Sequence, residues 1–402
     1  MESGREKGSV TQYMTATERL AAVLDGEMPD RVPCVPLVYY FAAHYTGTPF
    51  HDYMTDMKVF RRAMDICFWE IGPWDAFYTE PITMEAPDYD MTYGAGTGMK
   101  TGRPAGSGEQ SQILQLPEAE TLMGEDGYAA ISSHGFAGIA LPYLRFVSEL
   151  VAGVHDVPAD TRFWLGTFMP HLLRMAVRYV SESERWRMRG IPPFIGFSIE
   201  APFDTFSMSR GLIDFSRDLR RRADEVEEAS MKLAVGLAKT AGYLCRIART
   251  RRFLLLLHRS SNDFISPRQF KDLAYPSLEY IARYLDKRGI VPILHCDGNW
   301  DSNLELMLGL PEGTCFQFDS ATNIFRAREV LGDRFGIMGD VSPVMLCLAS
   351  PSEVDEYCKN LVEKVGKNGR FILSSGCEVP STAKAANVKA MVDAVKKYGW
   401  YH

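Results

Sequence analysis

The sequence contains no apolar run long enough to cross a bilayer; its longest, such as "FLLLL" at Phe253 to Leu257, falls far short. Its first residues, "MESGREKGSVTQYMTATERL", are polar and carry both signs of charge, so they are not expected to act as a signal peptide. Together these absences lead us to expect a cytoplasmic protein with no membrane partner. Blocks of like charge are also missing. The nearest, "RDLRRR" (Arg217 to Arg222) and "RIARTRR" (Arg246 to Arg252), read as solvated helix faces on a chain of net charge −7, which sets nucleic-acid binding aside. The eight cysteines form no CxxC pair, and the thiols are expected to be reduced. The Gly-rich stretch "GAGTGMKTGRPAGSGE" (Gly94 to Glu109) resembles a phosphate loop only weakly, with no GK[ST] after it and no clear strand before it, and reads as a flexible loop or hairpin.

What the 402 residues do contain is a rhythm. Short apolar runs recur at Val32–Val38, Trp74–Glu80, Phe194–Glu200 and Phe253–Arg259. They continue at Val291–Asp297, Cys315–Asp319, Phe335–Val341 and Arg370–Gly376. Continuous apolar runs, as opposed to strict alternation, suit strands covered on both faces in a parallel sheet. Between them lie capped helical patterns. One opens at Ser266 with Pro267 in its first turn and closes at Gly289; another opens at Ser350 with Pro351 and Glu353. Eight strand–helix repeats predict an α/β fold, a closed (β/α)8 TIM barrel, with an open doubly wound sheet as the alternative. We read residues 1–402 as one barrel domain. The segment Pro81 to Pro193 breaks the rhythm and is expected to form a helical insertion, or lid, between strands 2 and 3.

In such a barrel the strands' C-terminal ends converge on one mouth. The polar residues assigned there are Asp75, Glu80, Glu200, His258, Arg259, His295, Cys296, Asp297, Asp319, Asp340, Cys377 and Glu378. A single acidic strand end usually caps the next helix. Seven of eight strands ending in an ionisable group argue for a pocket suited to a metal ion or to proton transfer. "VPILHCDGNW" is the sharpest case. Successive strand side chains alternate between faces, so His295 and Asp297 share one and Cys296 takes the other. His295, Asp297 and Cys377 offer nitrogen, oxygen and sulfur to a zinc ion with a fourth position open. In the alternative, Cys377 is unliganded and Asp297 only sets the histidine tautomer.

Several stretches resemble the uroporphyrinogen decarboxylase superfamily, in particular its corrinoid-linked methyltransferase branch. They are "ERLAAVLDGEMPDRVPCVP", "APFDTFSMSRGLIDFSRDL", "FISPRQFKDLAYPSLEYI", "ILHCDGNW", "GIMGDVSP" and "GRFILSSGCEVPSTAKAANVKAMVDAVKKYG". The resemblance covers most of the chain, is weakest between Pro81 and Pro193, and implies a (β/α)8 barrel. Decarboxylases of the family hold substrate carboxylates with an arginine-bearing motif after the first strand. The matching stretch here, "PLVYYFAAHYTG", has no arginine, and a polyanionic porphyrinogen would meet a carboxylate-rich mouth. The methyltransferase branch binds zinc through a His-x-Cys-Gly motif and a late cysteine. His295 and Cys377 match these positions, while Asp297 stands where the branch has its middle cysteine.

A harder ligand at that position favours Lewis-acid work on oxygen over thiol activation. The resemblance therefore implies an O-demethylase component. It would move a methyl group from a small methylated, methoxylated aromatic substrate to the cobalt of a corrinoid (cobalamin) carried by a partner protein. His295, His258 and Asp297 are the catalytic candidates. Asp75, Glu200 and Arg259 are assigned to substrate binding, with Tyr39, Tyr40 and Trp74 as an aromatic wall; core packing is the plain alternative for each aromatic. The expected cofactors are zinc and the partner's corrinoid, and a second copy of this chain is a further candidate partner. Two other functions compete: a zinc-dependent methylcobamide:thiol methyltransferase, and a non-catalytic scaffold barrel. Crowded ionisable strand ends argue against the scaffold.

Overall fold

The computed structural model describes residues 13–38, 40–78, 99–101, 113–115, 123–141, 144, 158 and 160–401. Two short antiparallel strands come first, β1 (Met99–Thr101) and β2 (Ile113–Gln115). The six that follow form one sheet in sequential order. They are β3 (Ser198–Glu200), β4 (Arg252–Leu257), β5 (Val291–Cys296), β6 (Cys315–Phe318), β7 (Gly336–Val341) and β8 (Phe371–Ser375). All five pairings are parallel, as helical crossovers between consecutive strands require.

The arc from β8 back to β3 is spanned by two extended segments, so the ladder is not closed as a continuous sheet. Residues 31–38 meet β8 through parallel bridges at Cys34–Leu373 and Leu37–Glu378. Residues 74–78 join them through Asp75 N–H, which donates to the Cys34 carbonyl at 2.8 Å, and meet the third position through a Phe77–Pro193 bridge. Proline explains the interruption. Pro33, Pro36 and Pro193 have no N–H to give, so isolated bridges replace regular rungs. The architecture is the expected TIM barrel, with eight staves of which six are full strands.

Alternation then sorts the side chains into two cores. Val35, Leu37, Ala76, Phe194, Leu254, Leu256, Ile293, Met338 and Ile372 fill the inside of the barrel, closed below by Leu20, Val23 and Leu24 of helix Ala16–Asp25. Cys34, Leu255, Leu257, Leu294, Cys296 and Phe318 point the other way into the larger core under the helices. The helices begin where the sequence placed them. Ser266 Oγ accepts the Gln269 N–H and Ser350 Oγ the Glu353 N–H, both as reciprocal capping boxes.

Nearly half of the expected lid lies outside the described residues, including 81–98, 102–112, 116–122 and 145–157. Of its described parts, helix Gly127–His134 packs on the outer helices: the Tyr128 hydroxyl donates to Asp218 at 3.0 Å and its ring meets Phe206 edge-on. Helix Met169–Arg187 runs between the second and third staves, and its Trp186 stacks on Phe77. Among the described residues no helix is long and apolar enough to cross a membrane.

Asp75 is not at the mouth. It sits near the start of its segment, and its buried carboxylate accepts from Arg19 at 2.7 Å, from both terminal nitrogens of Arg31 at 2.9 Å, and from Cys34 N–H at 2.8 Å. The side chain ties the first helix and the first two staves together at the closed end, so its assignment to substrate binding is corrected. Removing one partner of a buried ion cluster leaves uncompensated charge. We expect Asp75→Ala to lower unfolding stability by about 3–5 kcal/mol in denaturant titration. A loss below about 1 kcal/mol would mean the cluster is no tie.

Candidate active site

The C-terminal ends of β3, β4 and β5 and the turn after β8 bring five of the expected residues together. Register does the positioning. Leu256 on β4 stands opposite His295 on β5, which sets His258, two residues on, level with Asp297. His295 follows Ile293 on the inward face, while fully buried Cys296 packs into the helix layer with its thiol directed to the Leu294 carbonyl. The alternation expected from the sequence is therefore present.

Asp297 lies between two imidazoles: Oδ1 is 3.0 Å from His295 Nε2, and Oδ2 is 3.6 Å from His258 Nε2. The rings are nearly perpendicular, with centroids 5.9 Å apart. Behind His258, Glu200 brings Oε1 to 3.0 Å from Nδ1 without an aligned hydrogen bond. Cys377 Sγ stands 3.8 Å from His295 Nε2. The row is thus carboxylate, imidazole, carboxylate, imidazole, thiol.

Charge alternates along it. Burial opposes a charge on His258, but Glu200 outweighs burial and lifts its pKa to about 9. Burial also opposes a charge on His295, and Asp297 drives its pKa upward regardless. Asp297 is pulled down to about 2, because His295 overcomes the burial that would raise it. Burial, and then the Asp297 charge, keep the Cys377 thiol above its ordinary range. Next to Glu200, the buried Asp204 accepts Arg259 N–H at 2.6 Å and Ser260 Oγ–H at 2.9 Å; burial and Glu200 push its pKa to about 7.

The site fits a divalent metal. Donor atoms of His258, His295 and Asp297 all lie within 4.8 Å of one another, a two-imidazole, one-carboxylate set. A divalent ion would replace the two imidazolium protons at equal charge, so Glu200 and Asp297 stay compensated. The sequence reading grouped Cys377 with His295 and Asp297; the structure places His258 in the compact group, with Cys377 beside His295.

Other expectations are not met. Tyr40 and Trp74 belong to the outer core, Tyr40 edge-on to Phe50 and Trp74 edge-on to Phe68, so both pack and neither forms a substrate wall. Arg259 turns its guanidinium to the Ser207 carbonyl at 2.9 Å and is not presented to a substrate carboxylate. Asp319 accepts the Gly298 and Ala321 N–H groups, each at 2.8 Å, and fixes two loops. Tyr39 and Glu80 lie outside the described residues. One residue was missed. Gln317, opposite His295 on β6, is fully buried and inward-facing, and among the described residues neither its Oε1 nor its Nε2 has a hydrogen-bond partner. Counting back two from Asp319 would have found it, but an amide carries no charge to draw the eye.

Residues 169–398, more than half of the chain, match the family model described as Uroporphyrinogen decarboxylase (URO-D). Among solved structures, "methyltransferase from Methanosarcina mazei" superposes with a TM-score of 0.61 at 17% identity, covering 96% of this chain and 99% of that one. At that identity the likeness speaks for the fold. No curated protein matches this chain.

Asp340 makes the mouth's electrostatics measurable. It is 2% exposed and accepts the Tyr357 hydroxyl at 2.7 Å, yet burial raises its pKa to about 7. An unfolded aspartate ionises near 3.9. Between those values the native state keeps a proton that the unfolded state has lost, so this residue's contribution to stability falls as pH rises from about 4 to 7. Asp340→Asn should therefore flatten that fall, leaving the variant relatively more stable at pH 8 than at pH 4. Parallel stability–pH curves for variant and parent would contradict the assignment.

Proposed function

Because the chain belongs to the uroporphyrinogen decarboxylase (URO-D) family, we propose that it works at the barrel mouth, and works there as a methyltransferase. In this reading it moves a methyl group from a small methylated compound, of methoxylated aromatic type, to the cobalt of a corrinoid held by a partner protein. The observation that carries the proposal is the row Glu200, His258, Asp297, His295 and Cys377. The fold shared with a protein named as a methyltransferase agrees with it.

Decarboxylation of a porphyrinogen fits less well. That substrate is a polyanion, and the groups that converge here include two carboxylates, while Arg259 is turned away. Demethylation asks for something else. The carbon–oxygen bond breaks, its electron pair stays on oxygen, and the departing alkoxide or phenoxide must gain a proton or equivalent positive charge. His258 and His295 are the groups that can hold that proton. Glu200 keeps His258 cationic and Asp297 aligns both rings. A zinc ion held by His295 and Asp297 with His258 or Cys377 would supply Lewis-acid stabilisation of the leaving oxygen. Gln317, with its amide unpartnered beside His295, is placed to orient a polar substituent of the substrate. The thiol-acceptor alternative has less support, since Cys296 faces the helices and leaves Cys377 as the one sulfur in the described cluster.

The test is methyl transfer from a methoxylated aromatic to reduced corrinoid protein, with bound zinc measured for each variant. His295→Ala should lower the rate by about two to four orders of magnitude, whereas Cys296→Ser should cost less than about tenfold. Near-full activity in His295→Ala would move the chemistry elsewhere. Loss of activity with no zinc in the parent would leave His295 as a proton carrier alone.

A further inference from the structure

A cavity lies at the other end of β4 from His258. About 20 Å of strand separates the two ends, at the usual rise per residue. The cavity encloses about 260 Å³, and its polar lining includes Arg187, Arg249, Arg251, Arg252, Thr250 and Asp25. Four arginines thus line the space beside one carboxylate, Asp25, and an apolar remainder that includes Leu24 and Pro192. Glu184 pairs with Arg187 and Arg249, and Asp25 stands 3.5 Å from Arg251.

Arg252 has no ion pair among the described residues. Its Nε donates to the Phe194 carbonyl and its Nη2 to the Pro193 carbonyl at 2.6 Å. Carbonyl groups satisfy the hydrogen bonds but do not neutralise the charge. Burial, and the adjacent Arg187, accordingly lower its pKa to about 10. Two further features belong to the same wall. Thr250 Oγ1 is buried with no hydrogen-bond partner among the described residues, and Arg249 holds a φ of 53°, which an L-residue adopts at a cost. An uncompensated cation, an idle hydroxyl and a strained turn that presents both are what an anion would complete.

We propose that this cavity binds a small polyanion of phosphate or diphosphate type, with Arg187, Thr250 and Arg252 on its floor and Arg249 and Arg251 at its rim. The site is remote from the mouth and independent of the methyl-transfer reading. A ligand there bridges the turn before β4, the end of helix Met169–Arg187 and helix Ala16–Asp25, the elements that close the barrel's floor. It would therefore stabilise the closed end against thermal opening.

The experiment is isothermal titration of the full chain with inorganic pyrophosphate, and in parallel with inorganic phosphate, at constant ionic strength. Saturable binding of one anion per chain is expected. Arg249→Ala combined with Arg251→Ala, two mostly exposed side chains whose loss spares the core, should weaken it about tenfold or more. Arg217→Ala, an exposed arginine on another helix, should leave it unchanged. Absence of saturable binding, parental affinity in the double variant, or equal weakening by Arg217→Ala would each overturn the proposal.

Discussion

The carboxylate of Asp297, 3.0 Å from one imidazole and 3.6 Å from another, is the contact on which the barrel mouth depends. Two buried histidines would ordinarily surrender their protons, since burial disfavours charge and each cation repels the other. Asp297 reverses this for His295, and Glu200, joined by Asp297, reverses it for His258. The same arrangement serves two tasks. With protons on the rings it is a store of acid for a leaving group; with a divalent ion in their place it is an electrophile. Either way the site stabilises negative charge that develops on an oxygen.

Backbone register makes that contact possible. β4 and β5 are paired in parallel with Leu256 opposite His295, so equal extension past the ladder carries His258 and Asp297 to the same height. A one-residue slip of β5 would turn His295 and Asp297 into the helix layer and bring Cys296 inward. Apolar packing on both faces of β5, with Ile293 inside the barrel and Leu294 outside, holds the register. Stability and chemistry are therefore linked through one strand: the residues that anchor it in the core fix where its last side chains point.

Much of this was legible in the sequence. The apolar runs located all eight staves because buried parallel strands must be apolar on both faces, and serine–proline openings located the helices. The pairing of His295 with Asp297 followed from alternation alone. Other features depend on partners distant in sequence. "WDAFYTE" shows an aspartate but not that Arg19 and Arg31 take it up at the closed end. Tyr40 and Trp74 lie near the expected staves, yet face outward. Whether His258 or Cys377 lies closer to Asp297 depends on barrel geometry, which spacing along the chain does not encode. The interruptions by Pro33 and Pro36 were visible as letters, but their effect on ladder continuity needed the neighbouring staves in place.

The most direct measurement is crystallography with diffraction data on both sides of the zinc absorption edge. The account predicts one anomalous peak bounded by His258 Nε2, His295 Nε2 and an Asp297 oxygen, with Cys377 Sγ at its edge. A fully occupied metal elsewhere in the barrel, or a metal-free mouth in protein prepared with zinc present, would contradict it.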